Sequence, residues 1–336
     1  MVASETNGAS PAIIGQETVL QFLGSSLERD RLASAYIFYG PSAVGKRTTA
    51  RIFLAAILCP NRMGLAPCGT CASCRLWKRS LHPDATILGE TAAAIGIDDV
   101  RQLQRKLNFC PTVSEYRVAL ISNAEQLSIE AANALLKTLE EPPHKTLCVL
   151  CTTMLSSLPL TLRSRCQQLR FRHVPQPFIY DLLRTKTENV DMAQNLSHVS
   201  LGRPGLALSF LSQPEEFAQY RQRITDLIDV LQSPIATRLQ RVHQLLPPTR
   251  SHEEARQQLL PILDLWIWVI RDALLIRERN QEFIVHRFLE KEIEELGKRY
   301  TTHELLSAIK FIEGMKRLAR MNVNPQFLLE HCFLSL

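Results

Sequence analysis

A glycine loop between an apolar run and an amphipathic run constrains this chain more than any other stretch. Residues 36–48 read YIFYGPSAVGKRT. The spacing of Gly40, Gly45 and Lys46 is that of a phosphate-binding loop, whose backbone amides surround phosphate groups. Such a loop normally closes with Ser or Thr, whose hydroxyl binds Mg²⁺, but this chain has Arg47 there, followed by Thr48. The pattern predicts a phosphate-loop fold with a degenerate metal position.

The pattern of apolar residues changes along the 336-residue chain. Up to residue 172, short apolar runs typical of buried strands alternate with runs of helical periodicity. This alternation predicts an α/β domain with a parallel sheet and helices on both faces. Strand signals then vanish, which predicts a small helical unit over 173–213 and an all-helical domain over 214–336. Two of the helices predicted in the last domain cover 235–246 and 282–297.

Bulk properties exclude some classes of protein. The net charge of +6 is a mild basic excess, weaker than the charge of a dedicated nucleic-acid binder. The first ten residues lack the basic start and apolar run of a secretory leader. The most apolar long run, 259–276, is interrupted by Asp264, Arg271 and Asp272, so it predicts a buried helix rather than a membrane span. We expect a cytoplasmic protein without membrane contact.

Four of the nine cysteines lie within sixteen residues, at Cys59, Cys68, Cys71 and Cys74. Four thiolates at this spacing, separated by the turn formers Pro and Gly, are typical of a tetrahedral Zn²⁺ site. No His, Asp or Glu lies inside the cluster to keep a catalytic position open. We therefore predict a structural zinc site, against the alternative of four unrelated thiols.

The strand predicted at 117–123 lacks the acidic residues of a phosphate-loop ATPase. Such a strand ends in Asp-Glu, where Asp orients Mg²⁺ and Glu polarises the attacking water. Here Ser122 and Asn123 occupy these positions, and neither can act as a base. Glu125 follows in the loop with a different direction from the strand. The sequence therefore predicts that hydrolysis is lost.

A basic helix follows the cysteine cluster, with Asp98 or Asp99 as the expected N-cap. Arg101, Arg105 and Lys106 lie off its apolar stripe of Val100, Leu103 and Leu107. They form either an ordinary solvated face or a contact with a nucleic-acid backbone. The sequence leaves both interpretations open.

Two further strings complete a family pattern. Residues 133–143 read NALLKTLEEPP, and residues 162–166 read LRSRC. With the glycine loop and the four-cysteine insertion, they make the chain resemble the AAA+ clamp-loader subunits of bacterial DNA polymerase III. The motifs cover about the first 210 residues. The resemblance implies an AAA+ domain, a helical lid over 173–213 and an oligomerisation collar over 214–336.

Within this family the chain departs from the motor subunits gamma and tau. Besides Arg47, Ser122 and Asn123, it has Gly205 at or near the place of the arginine that senses the γ-phosphate, while the offset of Arg203 is wrong. These departures make it most similar to the degenerate delta-prime subfamily. An active ATPase like gamma or tau is the alternative, with Thr48 supplying the Mg²⁺ hydroxyl and Glu125 the base.

The resemblance also implies a functional residue outside the loop. The family's Ser-Arg-Cys motif is intact, so Arg165 is expected to be an arginine finger that stabilises the ATP of a neighbouring subunit. The implied partners are gamma/tau and delta subunits in a pentameric ring, the sliding clamp and primed DNA. ATP or ADP could still bind the degenerate loop without being hydrolysed. A third hypothesis, a zinc-bearing nucleic-acid adaptor outside replication, ignores the NALLKTLEEPP string.

Overall fold

The chain forms two compact units, seen here in a computed structural model that describes residues 13–91, 94–143, 145–234, 238, 252–319, 321 and 323–335. The first unit runs to Asp181 and includes Gly202–Leu206. The second consists of Leu182–Leu201 and the residues from Ala207 onward. The helix predicted over 235–246 lies outside the described residues. The division at residues 172 and 213 stays a prediction.

A five-stranded parallel sheet forms the centre of the first unit. Its strands are β1 (Ala35–Tyr39), β2 (Ala85–Leu88), β3 (Arg117–Ile121), β4 (Thr146–Thr152) and β5 (Gln167–Arg170). Their order across the sheet is β2-β3-β4-β1-β5, and every neighbouring pair is parallel. The predicted α/β AAA+ fold class is confirmed by this sheet and by the helical second unit.

Alternating side chains of the strands build two cores, one on each face of the sheet. On one face, Tyr36 and Phe38 of β1 pack with apolar residues of the helices that precede and follow this strand in the chain. On the other face, Ala35 and Ile37 pack with the helices around β3. Strands β1, β3 and β4 are therefore buried along almost their whole length, as expected for a sheet covered on both sides, whereas the edge strand β5 is mostly exposed.

Helices surround this sheet. The first core receives α1 (Glu17–Glu28), α2 (Lys46–Leu58) and α3 (Ala72–Lys78), and the second core receives α4 (Ile97–Leu107), α5 (Ile129–Glu140) and the short α6 (Leu160–Arg163). Ser128 caps α5 as its position before an apolar run suggests, accepting a hydrogen bond from the amide of Ala131 at 3.1 Å. Helix α5 ends before Pro142 and Pro143.

The cap of α4 differs from the expectation. Gly96 is the N-cap, and Asp99 lies at the third helical position, where its carboxylate accepts a hydrogen bond from the Gly96 amide at 2.9 Å. Asp98 lies in the first turn of the helix. Helix α4 begins at Ile97, before the apolar stripe that starts at Val100, because the Asp99 carboxylate satisfies the amide of Gly96.

Helices make up the second unit. They comprise α8 (Val190–Val199), α10 (Pro214–Gln232), α11 (His252–Arg277), α12 (Glu290–Arg299), α13 (Thr302–Ala319) and α14 (Pro325–Ser335), while α7 (Gln176–Arg184) and α9 (Pro204–Ser212) each have residues in both units. The single helix predicted over 282–297 is wrong in part. Two short 3₁₀ turns, Gln281–Phe283 and Arg287–Leu289, precede α12. Within the described ranges, every helix is too short or too polar to cross a bilayer.

A buried carboxylate fixes the loop between α4 and β3. Asp84 is 1% exposed and accepts hydrogen bonds from the backbone amides of Thr112, Val113 and Ser114 at 2.7–2.9 Å. Its Oδ1 lies 3.5 Å from the guanidinium of Arg117. Burial acts to raise the pKa of Asp84, but the hydrogen bonds outweigh it and hold that pKa well below its usual range.

We expect Asp84→Asn to lower the free energy of unfolding by about 3 kcal/mol, since it leaves Arg117 and several amides without their buried anion. Urea unfolding of the purified chain measures this change. Asp98→Asn is the matched control, because the Asp98 side chain is 92% exposed. A loss for Asp84→Asn no larger than that of the control would show that this carboxylate is not a structural anchor.

Candidate functional site

The glycine loop has the conformation that its glycines allow. Gly40 and Gly45 both have positive φ, at 138° and 101°, and Ala43 is left-handed at 57°. A Cβ atom on Gly40 would lie 2.2 Å from the carbonyl oxygen of Phe171, which follows β5. Only glycine fits at that position, because the loop passes directly over the neighbouring chain segment.

Lys46 lies at the first position of α2 and is buried. Its ammonium donates hydrogen bonds to the carbonyl oxygens of Gly40 and Pro41 at 2.6 and 2.5 Å. Burial lowers the pKa of Lys46, while Cys151 and Glu125 act in the opposite direction. Arg47 is exposed and Thr48 is half-buried. The five predicted loop residues are thus adjacent. Gly40 and Gly45 lie in the loop, and Lys46, Arg47 and Thr48 form the first turn of α2.

The end of β3 carries no charge. The hydroxyl of Ser122 is buried and has no hydrogen-bond partner among the described residues. The side-chain amide of Asn123 donates to the carbonyl oxygen of Gly89 at 2.8 Å, so it serves the adjacent turn. Neither side chain can bind Mg²⁺ strongly or remove a proton from water.

The carboxylate of Glu125 makes hydrogen bonds within its own chain. Its Oε1 accepts hydrogen bonds from the amide and hydroxyl of Thr153 at 3.3 and 2.9 Å. Its Oε2 is buried without a partner among the described residues. The carboxylate interacts electrostatically with Lys46. Thr153, which follows β4, is a neighbour of the loop region that the sequence alone did not single out.

Gly205 lies in the first turn of α9 and contacts the loop with its backbone. Its amide donates to the carbonyl oxygen of Ala43 at 2.8 Å, and a Cβ atom there would lie 2.8 Å from the same oxygen. A long side chain at this position would have to displace the loop. The close contact gives a physical reason for glycine at this position of the chain.

Arg165 follows the four-residue helix α6. One end of its guanidinium lies 2.6 Å from a carboxylate oxygen of Glu140, and another nitrogen donates to the carbonyl oxygen of Thr161 at 2.9 Å. The hydroxyl of Ser164 donates to the same carbonyl at 3.0 Å, and Cys166 is buried in the second core. Ser164 and Cys166 therefore fix the turn, and the side chain of Arg165 between them remains 37% exposed.

Parallel pairing separates Arg165 from the chain's own loop. Tyr36 at the start of β1 pairs with Gln167 of β5, and Tyr39 at its end pairs with Arg170. Arg165 precedes β5, whereas Gly40 follows β1, so the two lie at opposite ends of the sheet. Along the strand direction, about six residues separate Arg165 from Gly40. At a rise of about 3.3 Å per residue, this is a distance of about 20 Å.

The four clustered cysteines converge. Their sulfur atoms all lie within 4.8 Å of one another, with Cys59 and Cys71 at 3.9 Å and Cys68 and Cys74 at 4.0 Å. A tetrahedral Zn²⁺ with bonds of about 2.3 Å places its sulfur ligands about 3.8 Å apart. The sulfurs therefore fit this metal.

Backbone amides also face these sulfurs. The amide of Cys68 donates to Cys59, that of Cys71 to Cys68 and that of Cys74 to Cys71, each at 3.4 Å. Hydrogen bonds from the Thr70 and Cys71 amides lower the pKa of the Cys68 thiol to about 6, whereas burial raises that of Cys74. Cys59 ends α2 and Cys71 caps α3, so a metal here would join these two helices.

The chain is similar in sequence to subunits of bacterial DNA polymerase III. A family model described as DNA polymerase III, delta subunit, matches residues 15–175. DNA polymerase III subunit delta' of Bacillus subtilis is 29% identical over 324 residues, which are 96% of each chain. The chain thus resembles this delta' subunit along nearly its whole length.

Tau subunits of DNA polymerase III match a shorter part of this chain. DNA polymerase III subunit tau of B. subtilis is 36% identical over 162 residues, 48% of this chain and 29% of that protein. A solved structure of a gamma subunit-related protein from Thermotoga maritima covers 95% of this chain and 98% of its own, at 19% identity and a TM-score of 0.44. The similarity to delta' extends over the helical second unit. The match to tau from B. subtilis covers about half of the chain.

We expect the purified chain to contain about one zinc ion per molecule, because its four converging sulfurs complete a tetrahedral site. Cys59→Ser and Cys71→Ser should each lower the zinc content and the melting temperature. Cys110→Ser is the control, since Cys110 is an exposed cysteine outside the cluster. Elemental analysis with thermal unfolding measures both quantities. Zinc absent from the unaltered chain, or unchanged in the two cluster variants, would contradict the assignment.

Proposed function

We propose that this chain is a non-hydrolysing stator of the DNA polymerase III clamp loader, which donates Arg165 as an arginine finger to a neighbouring ATPase subunit during sliding-clamp loading. The chain would have lost the use of its own nucleotide site and kept the group that acts on another subunit's ATP. The guanidinium suits this role, because it is always charged and can donate two parallel hydrogen bonds to phosphate oxygens.

The position of Arg165 carries the proposal. It is partly exposed and lies at the opposite end of the sheet from Gly40 and Lys46. Arg165 therefore cannot reach a phosphate at its own loop without rebuilding the turn after α6. A phosphate that it contacts belongs to another molecule, which is what a finger acting across an interface requires.

Loss of hydrolysis is supported by the residues around the loop. Ser122 and Asn123 offer neither a metal-binding carboxylate nor a base, and Gly205 leaves no room for a sensing arginine. The competing ATPase hypothesis needs Glu125, but one of its oxygens is already bonded to Thr153. Lys46 and the glycines remain in place, so nucleotide binding without turnover stays part of the proposal.

The remaining partners are proposed from the similarity to delta'. The proposed assembly is a pentameric ring with gamma/tau and delta subunits, held by the helical collar. Zinc at the four cysteines has a structural role. Primed DNA is proposed to contact α4, where Arg101, Arg105 and Lys106 are exposed. Arg101 already pairs with Asp98 at 3.4 Å, so Arg105 and Lys106 are the stronger candidates.

We expect the isolated chain to show no steady-state ATP hydrolysis above a protein-free blank, with or without primed DNA. The reason is that Ser122 and Asn123 stand at the end of β3 in place of a metal-binding carboxylate and a base. Phosphate release measures this, and a Lys46→Ala chain is the comparison for any contaminating activity. Turnover that Lys46→Ala abolishes would contradict the proposal and favour an active ATPase like gamma or tau.

In the reconstituted clamp loader, we expect Arg165→Ala to abolish most of the turnover at the site that Arg165 serves. Fingers contribute on the order of 10³-fold to phosphoryl transfer, so total ATP hydrolysis should fall by that site's share. Arg165→Lys is the matched variant, since it keeps the charge but loses the planar fork. Clamp- and DNA-dependent ATP hydrolysis that is unchanged in Arg165→Ala would remove Arg165 from this role.

A further inference from the structure

One carboxylate contacts the guanidinium of Arg165. It belongs to Glu140, the last residue of α5, and its Oε1 lies 2.6 Å from Nη2 of Arg165. The second contact, from Nη1 to the carbonyl oxygen of Thr161, comes from α6. Two separate elements therefore hold the guanidinium from two sides, and both are anchored in the same core through α5 and α6.

Within the described residues, these two contacts use only part of the N–H donors of the Arg165 guanidinium. An arginine head has five N–H groups in a fixed plane, and the contacts with Glu140 and Thr161 use two of them. The side chain is 37% exposed, so solvent reaches the rest of the group. The arrangement fixes the direction of the side chain and leaves N–H groups free to meet a phosphate.

The strength of the Glu140 contact decides what it can do. The Glu140 side chain is 47% exposed, and ion pairs at such positions are weak because water screens them. A phosphate group with several negative charges can therefore compete for the guanidinium. A weak pair is nevertheless enough to favour one rotamer of a long side chain that otherwise samples many.

We propose that Glu140 is a positioning residue for Arg165. It holds the finger in the direction of the neighbouring nucleotide before that nucleotide arrives, so less side-chain entropy is lost in the transition state. This inference rests on the proposed function of Arg165 and adds to it a residue of this chain that never touches the nucleotide.

The test compares Glu140→Gln with Glu141→Gln in the reconstituted clamp loader. Glu141 follows directly, is exposed, and forms no ion pair within the described ranges. We expect Glu140→Gln to lower the turnover number of the site served by Arg165 about two- to fivefold, with KM for ATP unchanged, since an exposed pair is worth at most about this factor. Glu141→Gln should match the unaltered loader.

Two further measurements separate positioning from a structural effect. The deficit of Glu140→Gln should shrink as ionic strength rises from about 0.05 to 0.5 M, because salt screens the pair in the unaltered chain. In an Arg165→Ala background, Glu140→Gln should have no additional effect. Equal melting temperatures of the single variants would show that the fold is retained.

The outcomes distinguish the two proposals. If Arg165→Ala leaves turnover unchanged, the proposed function fails, and the role of Glu140 fails with it. If Arg165→Ala lowers turnover but Glu140→Gln does not, the finger stands and the positioning role is overturned. A rise in turnover for Glu140→Gln would also overturn it, because the carboxylate would then be holding the finger back. An effect of Glu140→Gln that persists without Arg165 would show that Glu140 acts elsewhere.

Discussion

The parallel pairing of β1 with β4 and β5 is the constraint on which the other features depend. It places the end of β1, and therefore the glycine loop, beside the residues that follow β4 and β5. It also places the segment that precedes β5 at the far end of the sheet. The loop and Arg165 thus occupy opposite ends of one unit, although both flank strands that lie side by side. A chain built in this way can offer an arginine to one neighbour while its own loop faces elsewhere.

Local contacts within the chain hold the residues around the glycine loop in place. Asn123 supports the turn at Gly89, Lys46 bonds the carbonyl oxygens of its own loop, and the backbone of Gly205 packs on Ala43. The region therefore keeps its shape as part of the fold. Among the described residues of this region, the hydroxyl of Ser122 and Oε2 of Glu125 are buried without a hydrogen-bond partner, and most other buried polar atoms are satisfied from within the chain.

Much of this architecture follows from local sequence. The apolar run before Gly40, the Ser128 cap and the prolines after α5 identify strand, loop and helix by short-range rules. The spacing of the four cysteines likewise identified a cluster that the fold brings together. The N-cap of α4, the bond between Glu125 and Thr153, and the Gly205 contact were not predictable, because their partners are distant in sequence or depend on exact backbone geometry. The pairing of Glu140 with Arg165 belongs to the same class, since it joins two motifs that the sequence shows only separately.

The most direct test of the central claim is a structure of the assembled clamp loader with a slowly hydrolysed ATP analogue. The account predicts that the guanidinium of Arg165 lies within about 3 Å of γ-phosphate oxygens on a neighbouring subunit. It also predicts that no Mg²⁺ is coordinated at the loop between Gly40 and Thr48. A nucleotide bound with Mg²⁺ at this chain's own loop, with Arg165 facing solvent, would contradict the account.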